Sequence, residues 1–300
     1  MPIKTEMVSV IIPTYKRNDQ LIKAVSSVLA QTCTAIEIII VDDDQENTGI
    51  NFKDPRITYL KNERQKGGNG SRNTGILHSS GQFIAFLDDD DEWLPTKIDD
   101  QLKKLNLLDD SWGGCYCGWI TDDVEYLVGY EGLLLKKYLK ESFDIGASST
   151  LFFKRDALLA VGLWDETLVR HQDLDLLIRF LKVFKLAFVD KPLVIVNGHN
   201  IPRYEISKRA KELFFNKLDQ LDLPQEEYSH FLANHYRELA VFASIEGRTN
   251  EVVVNIKKSA RTANIPPSKF FSAIVYLLNF YTLKLKFGRF KNSMRSLYNK

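Results

Sequence analysis

Five acidic residues in a row, Asp88 to Glu92, follow directly on the apolar run Phe83 to Leu87. Side by side, such carboxylates repel one another unless positive charge sits among them. Oxygen-only ligands suit Mg²⁺ or Mn²⁺, and Mg²⁺ typically uses one or two carboxylates together with substrate phosphates. The cluster therefore points to a divalent ion holding a phosphorylated substrate. The alternative is a solvated acidic turn that caps the next helix, since acidic residues favour helix starts.

The surrounding pattern says what would position that cluster. Val8 to Ile12 reads as a strand ended by Pro13, and Asn18 or Asp19 can cap a helix carrying Leu21, Ile22, Val25, Val28 and Leu29 at helical spacing. Ile36 to Val41 and Arg56 to Leu60 are further strands, the first running into Asp42-Asp43-Asp44. A glycine-rich loop, Gly67-Gly68-Asn69-Gly70, precedes a helix expected over Ser71 to Ser79. Phe83 to Leu87 is the next strand, and Pro95 opens the helix after the acidic run. Nearly all-apolar strands alternating with helices predict a parallel sheet covered on both faces, in an α/β fold that binds ligands at the carboxyl ends of its strands.

Beyond about residue 112 the pattern becomes mixed. Trp112 to Trp119, Val124 to Val128, Ser149 to Phe153, Leu186 to Val189 and Leu193 to Val196 read as strands, and Arg155 to Val161 and Asp173 to Phe184 as helices. From Glu205 the chain reads as helical, with a break at Ile265-Pro266-Pro267. The expected division is a domain over 1–200, in halves of about 1–110 and about 111–200, and a helical extension over 201–300.

Of the 300 residues 44% are hydrophobic and 26% charged, an ordinary globular balance. The N-terminus is polar and no apolar run is long enough to span a bilayer. The three cysteines, Cys33, Cys115 and Cys117, match no zinc pattern and fit a reducing cytoplasm, and Cys115 and Cys117 read as packing residues. The net charge of +1 hides an asymmetry: from Lys257 to Lys300 there are ten Lys or Arg and no Asp or Glu, leaving 30 basic against 39 acidic side chains in the rest.

Taken together and in order, Val8-Ser9-Val10-Ile11-Ile12-Pro13-Thr14-Tyr15, Val41-Asp42-Asp43, Gly70-Ser71-Arg72-Asn73-Thr74-Gly75, Leu87-Asp88-Asp89-Asp90-Asp91, Gly162-Leu163-Trp164-Asp165-Glu166 and Gln172-Asp173-Leu174-Asp175-Leu176 resemble the inverting family-two glycosyltransferases with the GT-A fold. The resemblance covers roughly residues 8 to 196. It implies a GT-A-type nucleotide-binding domain with a mostly parallel central sheet flanked by helices, followed here by a C-terminal helical extension. It also implies transfer of a sugar from a nucleotide diphosphate sugar, UDP- or dTDP-linked, to a hydroxyl of a saccharide or lipid-linked acceptor in surface polysaccharide synthesis.

By the same resemblance Asp90 is the contact for Mn²⁺ or Mg²⁺, with a one-residue slip to Asp91 left open by the run of four. Asp88, oriented through water, and Asp89 fall among the donor-binding residues. Asp43 matches the carboxylate that hydrogen-bonds the nucleobase, with Pro13 and Tyr15 forming the neighbouring wall; Asp44-Gln45 stand where the family has Gly-Ser. Arg72, at a helix start beside glycines, suits the diphosphate or base. Asp173 matches the general base that takes the acceptor's proton, its alternative role being a helix cap. Arg179 either meets the diphosphate or pairs with Asp175 at i, i+4. Gly146 to Thr150 is placed near the acceptor, or is a plain turn.

Two other functions fit parts of the chain: an inert nucleotide-sugar-binding or scaffold module, and a sugar nucleotidyltransferase, though Pro13-Thr14-Tyr15-Lys16-Arg17 lacks the glycines of that class. The apolar stretch Phe270 to Tyr281 followed by Lys284, Lys286, Arg289, Lys291 and Arg295 predicts that residues 266–300 dock on an anionic membrane surface, at the inner face of the cell membrane. Nothing in the chain resembles a nucleic-acid module, so no nucleic-acid partner is expected.

Overall fold

In the computed structural model, residues 4–46, 50–197 and 202–263 are described. The strands are β1 (Lys4–Thr14), β2 (Ile36–Asp42), β3 (Ile57–Lys61), β4 (Gly81–Phe86), β5 (Glu92–Trp93), β6 (Trp112–Thr121), β7 (Val124–Tyr126), β8 (Phe152–Lys154) and β9 (Lys185–Ile195). The helices are α1 (Asn18–Leu29), α2 (Gly68–His78), α3 (Lys97–Asn106), α4 (Leu135–Glu141), α5 (Arg155–Ala160), α6 (Gln172–Leu181), α7 (Tyr204–Leu218), α8 (Gln225–Ile245) and α9 (Thr249–Thr262). The chain divides into two compact units, Met1–Leu135 with Phe143–Asn200, and Lys136–Ser142 with Ile201–Lys300.

The first unit is a nine-stranded sheet in the order β3-β2-β1-β4-β8-β6-β9-β5, with β7 paired to β6. β3, β2, β1 and β4 run parallel, so their carboxyl ends share one edge. The apolar runs are continuous because both faces are covered. Val8, Val10 and Ile12 of β1 pack with Leu21, Val25 and Val28 of α1, while Ile11 between them is equally buried on the opposite face. There a Cβ on Gly75 of α2 would come 2.5 Å from the Ile11 side chain, so helix and strand approach more closely than any other residue permits.

β1 continues past Pro13 to Thr14. The Leu87 N–H donates to Ile11 C=O and the Asp43 N–H to Thr14 C=O, so Pro13 faces the β4 side, beyond the last β1–β4 pair. Its missing N–H costs no ladder bond there. Leu186–Val189 and Leu193–Val196, expected as separate strands, form the single strand β9, whose register on β6 shifts around Gly118 and Pro192. The expected strand at Ser149 is a 3₁₀ turn, Ser148–Thr150, ahead of β8. α2 begins at Gly68, so the glycines expected in a loop make its first turn.

The second unit is helical. Tyr204, buried on α7, donates its hydroxyl to Glu251 (2.7 Å) and accepts from Asn255 Nδ2 (2.9 Å) on α9. Fully buried Lys211 of α7 contacts His235 (2.5 Å) and Glu238 (2.7 Å) of α8. Short α4 belongs here, with Tyr138 facing Phe231 at 6.4 Å between ring centroids. The basic stretch 266–300 lies outside the described residues. Among the described residues no helix is long and apolar enough to cross a membrane.

Candidate active site

The site is built at the shared edge where β1, β2 and β4 end. Pro13, Tyr15, Asp43, Arg72, Asp88, Asp89 and Asp90 all line one cleft of about 540 Å³. Asp91, Arg179 and Asp173 lie outside that lining, and Asp173 remains within electrostatic range of Arg72 and Asp88.

The two acids ending β2 differ in role. Asp42 is fully buried and accepts from Tyr59 Oη (2.8 Å), Lys61 Nζ (3.1 Å) and the Asp44 N–H (2.9 Å), which fixes the turn. Asp43 points into the cleft. Asn62 Nδ2 donates to its Oδ1 (2.7 Å) and the Gly67 N–H to its Oδ2 (2.9 Å). Asn62 is itself held, its Oδ1 accepting from Thr74 Oγ1 and the Arg64 N–H at 3.0 Å each. Each carboxylate oxygen of Asp43 thus keeps a lone pair for a ligand N–H, in a fixed orientation. Beside it the half-exposed ring of Tyr15 has the Lys16 and Lys66 amines 5.3 and 5.1 Å from its centroid. An aromatic face next to an oriented acceptor suits a flat, N–H-bearing base.

The run of four aspartates resolves into four environments. Asp88 Oδ1 takes Arg72 Nη2 at 2.6 Å and Ser148 Oγ at 3.0 Å. Asp89, mostly buried, takes Thr14 Oγ1 (2.8 Å) and Arg17 Nη1 (3.0 Å). Asp90 takes the same Arg17 Nη1 at 2.8 Å. Asp91 turns out of the cleft lining, accepting from Ser149 Oγ (2.6 Å) and the Asn197 N–H (2.9 Å) beyond β9. Burial and then the charge of Asp88 push Asp91 up to about 7 and raise Asp90 as well, against Arg17 in the latter case. Asp89 is also raised, by burial first, with Thr14 and Arg17 opposing. Two arginines, Arg17 and Arg72, face four aspartates, so the loop holds more negative than positive charge.

That shortage tests the fit of a divalent ion. Among the described residues no three His, Cys, Asp or Glu side chains converge as a self-sufficient metal site requires. A hard cation that takes one or two carboxylates and fills its shell with phosphate and water needs less. Asp90, half-buried and repelled by Asp88, offers an oxygen of that kind beside the cleft.

Arg72 sits in the first turns of α2, buried, its guanidinium 4.7 Å above the Trp164 ring. Burial works against its charge, but Asp88 and then Asp173 outweigh it. Its Nε, also buried, has no protein partner. Trp164 is fixed by Asn73, which donates to its C=O (2.9 Å) and accepts its N–H (3.0 Å). Asp173 stands in the first turn of α6, whose N-cap is His171 in a left-handed conformation, so Asp173 is not the cap. Its Oδ1 is shut off from solvent without a hydrogen-bond partner. Burial first, then Asp88 and Asp144, raise it to about 6 despite Arg72. A carboxylate near 6, aimed at no protein donor, is poised to accept a proton at neutral pH.

Other candidates resolve structurally. Arg179 pairs with buried Asp175 (2.6 Å) and donates to the Val161 and Leu163 carbonyls, which takes it out of the cleft. Trp93 and Trp164 are both buried. Cys115 and Cys117 are buried packing residues. Gly146 to Thr150 is more than a turn: Ser148 and Ser149 hold Asp88 and Asp91. These serines, Asn62 and Arg17 escape a reading of the sequence, because each lies 19 to 76 positions from its partner.

Residues 9–155 match the profile described as Glycosyl transferase family 2. An uncharacterized glycosyltransferase of Rickettsia prowazekii is 30% identical over 268 residues, covering 85% of this chain and 80% of its own. The chain belongs to glycosyltransferase family 2. The UDP-Glc:alpha-D-GlcNAc-diphosphoundecaprenol beta-1,3-glucosyltransferase WfgD of Escherichia coli is 42% identical over 103 residues, 33% of this chain and 41% of its own. S. aureus TarS 1-349 in complex with UDP-GlcNAc superposes with a TM-score of 0.63 at 16% identity, over 90% of this chain and 86% of that one. The fold is that of the GT-A glycosyltransferases, a family-two enzyme fold with helices after the catalytic sheet. Membership of family two sets aside the nucleotidyltransferase reading.

Proposed function

We propose that the protein is a metal-dependent, inverting glycosyltransferase that moves a sugar from a UDP- or dTDP-sugar to a hydroxyl of a saccharide or lipid-linked acceptor in polysaccharide synthesis. The observation that carries this reading is the meeting of Asp43, Arg72 and Asp88 to Asp90 in one cleft, with Asp173 within electrostatic range of Arg72 and Asp88. Asp43, held on both oxygens, accepts an imide N–H of the base, and Tyr15 covers the ring. Arg72 offers its charge to the diphosphate. Mn²⁺ or Mg²⁺ bound by Asp90, with Asp88 behind it, would neutralise charge on the leaving diphosphate. Asp173 takes the proton of the acceptor hydroxyl as its oxygen attacks the anomeric carbon, while the bond to the diphosphate breaks on the opposite side. One base suffices, because inversion needs no covalent intermediate. The lipid-linked substrate named for the E. coli relative supports the acceptor class.

Calorimetric titration of UDP with and without Mn²⁺, with dTDP and GDP as comparators, tests the reading. Metal-dependent binding of UDP or dTDP is expected. Absence of binding by folded protein would shift the weight to an inert module.

A further inference from the structure

The acidic loop already has cations of its own, and the two differ in kind. Arg72 is buried and stacked on Trp164 while it pairs with Asp88. Arg17, the residue before α1, reaches across to bridge Asp89 Oδ1 at 3.0 Å and Asp90 Oδ2 at 2.8 Å with one nitrogen, Nη1. Its side chain is 49% exposed and lines the same cleft. Arg72 is fixed, whereas Arg17 is tied down only at its tip.

We propose that Arg17 is a displaceable cation: it holds Asp89 and Asp90 while the cleft is empty, and gives up Asp90 to a divalent ion that arrives together with a diphosphate. This rests on Asp90 being the metal contact. A bare ion must compete with the guanidinium for the Asp90 oxygen, and it gains only one or two protein ligands for the water it sheds. An ion already on a diphosphate brings its own remaining ligands. The diphosphate also brings a new partner for the released guanidinium, whose planar fork matches phosphate oxygens in pairs. Arg17 thereby makes metal and nucleotide each favour the binding of the other, a coupling that must be reciprocal. It holds the aspartates first and the diphosphate afterwards, and it exchanges no proton with the acceptor.

The test is Mn²⁺ binding, read from the loss of the free-ion electron paramagnetic resonance signal, with and without UDP. Four proteins are compared: wild type, Arg17→Gln, Arg17→Lys and Asp90→Asn. Arg17 is half-exposed at a helix start, so its variants keep the core intact. Arg17→Gln is expected to bind bare Mn²⁺ about fivefold more tightly, the scale of losing an exposed ion pair, while UDP enhances that binding less than in wild type. Arg17→Lys, which keeps the charge, is expected to stay near wild type. Unchanged Mn²⁺ affinity in Arg17→Gln, with and without UDP, alongside lost binding in Asp90→Asn, would overturn the role of Arg17 alone. Wild-type Mn²⁺ binding in Asp90→Asn would overturn the metal reading beneath it.

Discussion

Arg72 and Asp88 form a 2.6 Å ion pair that ties the first turns of α2 to the end of β4. The guanidinium that makes it also sits over the Trp164 ring, 4.7 Å from its centroid, so the pair is held from two sides.

Replacing Arg72 by Lys keeps the charge and removes the planar face. A lysine point charge neither stacks as well nor holds Asp88 in the same orientation. Nucleotide affinity is expected to fall about tenfold, the loss of one charge-assisted contact in a buried setting. Calorimetry with UDP reads the change, and an unaltered Kd would remove Arg72 from the donor site.

Asp173 is raised from 3.8 to about 6. A general base works deprotonated, so transfer should rise with pH up to about 6 and level above it, falling about tenfold per unit below. Asp173→Asn should cut transfer by about 10² or more with donor binding intact. Stability gives an independent readout. Between pH 3.8 and 6 folding takes up a proton, and above 6 the native state carries the charge at a cost. The neutral Asn variant should therefore melt no lower than wild type at pH 7.5. A marked drop in melting temperature would point to a structural carboxylate.

Asp43→Ala removes the oriented acceptor. UDP binding is expected to weaken about tenfold or more, and preference for UDP over other nucleoside diphosphates to relax. Asn62→Ala, which frees Asp43 Oδ1, should move both in the same direction by less. Calorimetric Kd values for three nucleotides check it, and a uniform loss across bases would mean that Asp43 does not read the base.

Much of this was legible because α/β strands and the acids ending them are local patterns. The apolar run Ile36 to Val41 and the acids after it, or Phe83 to Leu87 and Asp88, are neighbours in the chain and in space. What was not legible depends on crossings. Nothing near Asp91 in sequence says that Ser149 and the Asn197 N–H will hold it, and nothing near Arg17 says that it will reach Asp89 and Asp90. The glycines before Arg72 looked like a loop because glycine is a poor helix former. Within the helix, position 70 must be glycine because a Cβ there would drive into the Gln65 carbonyl oxygen of the preceding loop, a close approach that propensity does not register.

Arg179→Ala should destabilise without touching chemistry. Asp175 is fully buried and its ion pair with Arg179 sits at 2.6 Å. Removing one partner of a buried ion pair costs about 3 kcal/mol or more. Denaturant unfolding should show that loss, with the Kd for UDP unchanged; a weakened Kd would return Arg179 to the diphosphate.

The basic stretch makes a separate prediction. Neutralising Lys284, Lys286, Arg289, Lys291 and Arg295 should release the protein from anionic vesicles, each charge contributing up to roughly 1 kcal/mol near the surface. Co-sedimentation at low and high salt reads it. Equal binding by both proteins would remove the membrane role.

The serines of the 3₁₀ turn also bear on how the protein comes to be folded. Ser148 and Ser149 bond Asp88 and Asp91 across 60 and 58 positions, and Thr14 reaches Asp89 across 75. Contacts this distant in sequence form only after their loops have closed, which slows sheets of non-local pairing. A chain emerging in order would present all four aspartates long before the two serine hydroxyls that hold Asp88 and Asp91. Arg17 and Arg72 come before the acidic loop in the chain, so Asp88, Asp89 and Asp90 can find their counter-charges early, whereas Asp91 waits for Ser149 and for the Asn197 N–H beyond the last strand of the sheet.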